Sequence, residues 1–315
     1  INYYGYVVED SPNNSIPELN WYMEEDDYTD LVTNHQTDDF FFPAVLAIGD
    51  AVFDNSQVRI KGEVSVSYPK KKYKFELPSG YKVGAPLFDI PVDEFMINRW
   101  AMPNMATSGE YFAWKTAEQA GFKIPQNKLG NVFKNSPGVA QDSQGLYLII
   151  EDYDKQWRER NGYEEGALYK TGFTKKTRLN EDDSDIQSLV NNISTLTGED
   201  LRLYLADNLN IPAVINDHAL MTVIRAQDWG FDYNIYEYRD TEGTERWEYL
   251  PWDLDSAFAL TYLETGQDWL LKPPVTGQHG DPNDLETALY QFPEYEEMYY
   301  RRSVELFNDL YGSDN

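Results

Sequence analysis

The chain has 315 residues, and 41% hydrophobic and 15% aromatic side chains are enough for a large core, in one domain or two lobes, and too many for a disordered chain. Asp and Glu number 54 against 26 Lys and Arg, so the formal charge is −28, which repels phosphate backbones and anionic membranes and argues against nucleic-acid binding. Cysteine is absent, which excludes thiol catalysis, disulfides and Cys-based zinc sites, and no apolar run is long enough for a membrane span.

The first residues, INYYGYVVED, lack an initial Met and do not look like a signal peptide, so a trimmed or mature form is expected. IPELNWYMEED (16–26) reads as a strand running into an acidic helix over 25–34. FFFPAVLAIG and QVRIKGEVSVSY are β-rich, with a turn at Gly49–Asp50 between them. In KKYKFEL the alternation puts Tyr73, Phe75 and Leu77 on one face and Lys72, Lys74 and Glu76 on the other. A helix is predicted over 107–121, with Thr107 or Ser108 as N-cap and Gly121 as its stop. NVFKNSPGVAQDSQGLYLIIEDYD follows as a hairpin whose second strand ends in acids.

Past residue 155 the pattern turns helical, with caps near Ser184 and Thr197 and Pro212 opening a further helix. Two strands, YNIYEYRD and ERWEYLPWDL, are joined by the turn DTEGT. A Pro- and Gly-rich loop over 273–284 precedes a last helix containing YEEMYYRRSVELFNDLYG. The organisation is therefore α+β, a β-rich part over 1–152 and a mainly helical part over 153–315.

Only three histidines occur, His35, His218 and His279, far apart and in no ligand pattern. Chemistry then falls to carboxylates, lysine and oxygen-ligated ions. Four stretches are arranged for it. In VRIKGEVSVSYPKKKYKFEL, Gly62 and a small polar stretch let backbone N–H groups approach phosphate, and Lys70, Lys71, Lys72 and Lys74 form a positive island in an acidic chain. In RAQDWGFDYNIYEY, Asp228 is placed to take a proton and Asn234 to offer an amide oxygen to a metal. In EYLPWDLDSAFAL, Asp253 and Asp255 stand at alternate positions and face one side if the strand runs straight. Two buried carboxylates repel, and a divalent cation such as Mg²⁺ relieves them. In GLYLIIEDYD an apolar strand ends on Glu151, readable as the strand leading into a crossover between lobes or as a plain edge acid.

These stretches, in this order and with ALYK (167–170), resemble the CotH family, the spore-coat-type atypical protein kinases, from about residue 16 to 260. The resemblance implies an atypical bilobal protein-kinase-like fold, with a β-rich N-lobe (1–152) binding nucleotide phosphates and a mainly helical C-lobe (153–315). It implies ATP as co-substrate, Mg²⁺ or Mn²⁺ as cofactor, and phosphorylation of protein Ser or Thr. Carried over, Asp228 is the catalytic Asp, Asp253 the principal metal ligand, Asn234 the following Asn and Asp255 a further metal partner. Lys74, with Lys72 as fallback, fits the phosphate-binding lysine, and Arg59 and Gly62 fit the opening strand and loop. Asn234 stands six residues after Asp228 where the common protein-kinase loop has five, which keeps Asp232 in play. Glu110 or Glu118 is open as the partner of the strand lysine.

The acidic surface favours a basic, Ser-rich protein substrate. Nucleotidylation or amino-acid ligation at the same site, or a pseudokinase-like scaffold, stand as alternatives. The cellular address is left open, a secreted or a cell- or spore-surface place among the options.

Overall fold

Apolar strands build the first half of the molecule. In the computed structural model, which describes residues 16–62, 64–99, 109–163, 166–226, 228–231, 233–258 and 284–312, the chain divides into two compact units. One comprises residues 1–99 and 126–152, the other 100–125 and 153–315.

The first unit holds β1 (Glu18–Tyr22), α1 (Glu25–Asn34), β2 (Phe42–Ile48), β3 (Ala51–Lys61), β4 (Lys72–Glu76), β5 (Glu94–Asn98) and, after an excursion, β6 (Asn127–Asn135) and β7 (Asp142–Glu151). The apolar side chains of these strands gather on one side, so Leu19, Trp21, Val58, Phe75, Phe95 and Ile149 are fully buried. Trp21 sits among Tyr73 and Phe75, with ring centroids 5.2 and 5.8 Å away. Gly49, with φ +56°, supplies the left-handed residue of the β2–β3 turn.

The expected α+β class stands, but the bilobal kinase-like fold is corrected: the seven strands close into a mixed barrel in the order β1-β2-β3-β4-β5-β7-β6. Closure comes from β1, which is antiparallel to β2 and parallel to β6, Leu19 facing Val132 and Tyr22 facing Asn135. Each strand of the barrel pairs on both sides over at least part of its length, and the small interior is filled by the side chains named above.

In the second unit α2 (Gly109–Gln119) and α3 (Lys155–Asn161) accompany an antiparallel sheet of order β11-β10-β8-β9, built from β8 (Ala167–Lys170), β9 (Thr174–Lys175), β10 (Ile235–Arg239) and β11 (Trp247–Pro251). Around it lie α4 (Ser184–Thr195), α5 (Gly198–Asn208), α6 (Ile211–Val223), α7 (Asp284–Tyr290) and α8 (Pro293–Tyr311). Pro212 stands in the first turn of α6, where its missing N–H costs nothing. That helix is buried nearly all round, packing on β11 and α8. Thr107 and Ser108, Asp232, His279 and most of the 273–284 loop lie outside the described residues.

Candidate active site

The register of the second sheet decides what meets at its end. Ile235 pairs with Pro251 and Tyr236 with Lys170, so Asn234, Trp252 and Thr171 all emerge at the same edge of the sheet. The Asn234 backbone N–H donates to Thr171 Oγ1 (3.3 Å), and its side-chain Nδ2 donates to the Asp228 carbonyl (2.8 Å). The six-residue spacing is absorbed by a tight loop in which Gly230 and Tyr233 exchange two backbone hydrogen bonds of 3.0 and 2.8 Å. With its amide nitrogen engaged, Asn234 presents its carbonyl oxygen as the acceptor end.

The premise that Asp253 and Asp255 alternate on a straight strand does not hold. β11 ends at Pro251, Asp253 takes a left-handed conformation (φ +50°, ψ +55°), and Leu254–Ser256 form a 3₁₀ turn containing Asp255. Phe258 N–H then donates to the Ile224 carbonyl (2.7 Å), which ties this turn to the segment leading to Asp228. Lys170, which sequence reading quoted without a role, lies with its ammonium 5.5 Å from the Tyr236 ring centroid and 5.3 Å from that of Trp252.

Among the described residues no group of three or more His, Asp or Glu is arranged to hold a metal. Asp253 and Asp255 share one turn, and Asn234 reaches the Asp228 main-chain carbonyl rather than either of these acids.

In the first unit Lys74 is firmly engaged. Its ammonium lies 3.0 Å from Glu94, 3.3 Å from Glu76 and 3.4 Å from Asp152. Burial opposes its charge, yet Asp152 and Glu94 outweigh it and hold Lys74 well above the ordinary lysine range. The partners therefore come from β4, β5 and the residue after β7. Glu118 pairs instead with Lys115 at 3.0 Å on the surface of α2, and Glu110 is buried.

Lys70 is in the opposite condition. Its ammonium donates to the Leu146 carbonyl at 2.7 Å and lies 4.1 Å from the Tyr147 ring centroid. Burial first, and the neighbouring Arg99 second, push its pKa down to about 8. The same two causes lower Lys71. Arg99 is buried and lies 4.5 Å from the Tyr68 ring centroid. Cations that crowd and desolvate one another favour an anion beside them. Arg99 carries no signal in the sequence, and Lys70 belongs to the lysine run of YPKKKYKFEL.

The remaining expected residues are placed as follows. Arg59 on β3 bonds the Asp39 carboxylate, and its guanidinium carbon lies 5.3 Å from the Phe41 ring centroid. Gly62, with φ +114°, follows β3. Lys72 is buried opposite Lys61. Glu151 is fully buried and accepts the Gln126 backbone N–H at 3.0 Å, a contact that anchors the end of β7.

Among known proteins, no curated sequence matches the chain. No helix of the described residues is long and apolar enough to cross a membrane. The family model described as CotH kinase protein matches residues 58–311, which includes Lys70, Lys74, Asp228, Asn234, Asp253 and Asp255. The chain belongs to the CotH kinase family.

Proposed function

We propose that this protein transfers the γ-phosphoryl group of ATP to Ser or Thr hydroxyls of protein substrates. The observation that carries the reading is the fixed arrangement of Asn234 against the Asp228 loop beside the Asp253 turn, in a chain of a kinase family. Asp228 orients the acceptor hydroxyl and accepts its proton as the new O–P bond forms and the bond to the ADP oxygen breaks. Asp253, with Asn234 and Asp255, would hold Mg²⁺ or Mn²⁺, which supplies charge neutralisation at the β- and γ-phosphates when bound.

Lys70, with Arg99 and Lys71 near it, is a second phosphate cation beside the expected Lys74. Lys74 is held by three carboxylates, and Lys70 has Arg99 for a neighbour, so a phosphate there would offset two positive charges. The sign of the pH dependence follows. Below about 8 Lys70 is an ammonium and binds phosphate; as pH rises through about 8 it loses the proton and the attraction. The KM for ATP is expected to climb between pH 7.5 and 9, and Lys70→Met to raise it by about 10–100-fold at pH 7 while flattening the climb. Lys74→Met is expected instead to lower stability, since it strands Glu76, Glu94 and Asp152 together. A KM–pH profile unchanged by Lys70→Met rules Lys70 out.

A net charge of −28 supports a basic, Ser-rich substrate. Intact-mass measurement after incubation with Mg-ATP and a basic Ser-rich protein tests the reaction. A phosphate-sized gain, absent with Asp253→Ala, is expected. A nucleotide-sized gain lost in the same variant makes the protein a nucleotidyl transferase, and no gain leaves a binding protein.

A further inference from the structure

The barrel wall has a gap where β1 stops. Tyr22, its last residue, is flanked by Val45 on β2 and Asn135 on β6. The chain then turns away into α1, while β2 reaches further, to Phe42, on one side and Ser136–Pro137 continue on the other. A cleft of ≈ 330 Å³ occupies this place, in the size range of ligand sites. Strands flanking a missing neighbour stand two spacings apart, about 9–10 Å, which admits one extended chain and excludes a helix of about 10–12 Å diameter.

Its chemistry is one-sided. Pro43, Val45, Pro137 and Val139 give it apolar walls, and Val139, on the β6–β7 turn, is 51% exposed. Glu24, Asp27 and Asp54 stand among its lining residues, which among the described residues include no Lys or Arg. A second copy is disfavoured as the occupant, because each copy carries −28.

We infer that this cleft is a docking groove for an extended segment of a partner protein that alternates basic and apolar residues, the apolar ones against the prolines and valines and the basic ones against Asp27 and Asp54. The segment anchors a partner whatever chemistry follows, so its binding is measured without nucleotide and stands or falls separately from the phosphoryl-transfer reading.

The test is fluorescence anisotropy of the full chain with a labelled octapeptide alternating Arg with Val, beside the same peptide with Glu for Arg. Binding of the Arg peptide alone is expected, weakening at least 10-fold in Asp27→Lys/Asp54→Lys and in Val139→Arg. Asp50→Lys/Asp200→Lys makes the same change in net charge at exposed acids that do not line the groove, and it should leave the affinity within about 2-fold. Equal loss in both double variants shows attraction to the overall charge and overturns the groove, as does no loss in either. A dimer of the full chain that dissociates in Asp27→Lys/Asp54→Lys also overturns it, since the occupant is then a second copy.

Discussion

Asp228→Asn is expected to lower the turnover number for protein phosphorylation by about 10²–10⁴, the usual contribution of a positioned base, while ATP affinity and melting temperature stay close to those of the native chain. The ties that hold this loop run through main-chain groups and the Trp229 indole. Asn234 reaches the main-chain carbonyl of Asp228, Trp229 Nε1 donates to the Ala226 carbonyl at 3.1 Å, and Gly230 and Tyr233 close the loop through backbone groups. An isosteric amide keeps all of these ties and replaces the proton-accepting carboxylate. Asn234→Ala, by contrast, removes the tie to the loop as well as an oxygen donor, so it should raise the metal concentration needed for half activity and lower turnover together. Turnover within about 3-fold of native in Asp228→Asn would remove the base from the reaction and leave Asp228 as a positioning residue. If activity and thermal stability fell in parallel instead, the loss would be structural.

Much of this arrangement was legible in residue order. Alternation in KKYKFEL put Tyr73 and Phe75 inside, and the structure buries both. The turn residues around DTEGT marked the β10–β11 hairpin, whose register then delivers Asn234 and Asp253 to one end of the sheet. What local pattern does not carry is pairing across long separations. β1 meets β6 more than a hundred residues later, and that single parallel pair closes the sheet into a barrel. Lys74 and Lys70 look alike in YPKKKYKFEL. They differ because Glu94 and Asp152 reach one and Arg99 approaches the other, none of them near in sequence. Asp253 was read on a straight strand because WEYLPWDL is apolar and β-prone; Pro251 ends the pairing and the next turn reverses the geometry.

Asp217→Asn is expected to stabilise the protein at pH 8 by about 1–3 kcal/mol, a gain that shrinks as pH falls and is absent below about pH 4. Asp217 lies on α6, fully buried, and neither carboxylate oxygen has a hydrogen-bond partner among the described residues. Burial, and then the charge of Glu286, push its pKa well above the ordinary 3.8. Glu286 is itself fully buried, with His218 Nε2 2.9 Å from its Oε1 and His218 Nδ1 2.6 Å from the Tyr290 hydroxyl. The folded state therefore holds a proton on Asp217 that the unfolded chain releases above 3.8. Linkage fixes the sign: below 3.8 both states are protonated and the titration of Asp217 costs nothing, and as pH rises toward the folded value the cost of keeping that proton grows. An amide has the same shape and no charge to suppress, so the cost vanishes in the variant. The readout is the difference in melting temperature between variant and native chain from pH 4 to pH 8, which cancels the titration of the other 53 acids. A difference that is flat across this range, or a variant less stable at pH 8, means that Asp217 is ionised in the fold and stabilised by a group that the buried cluster does not display.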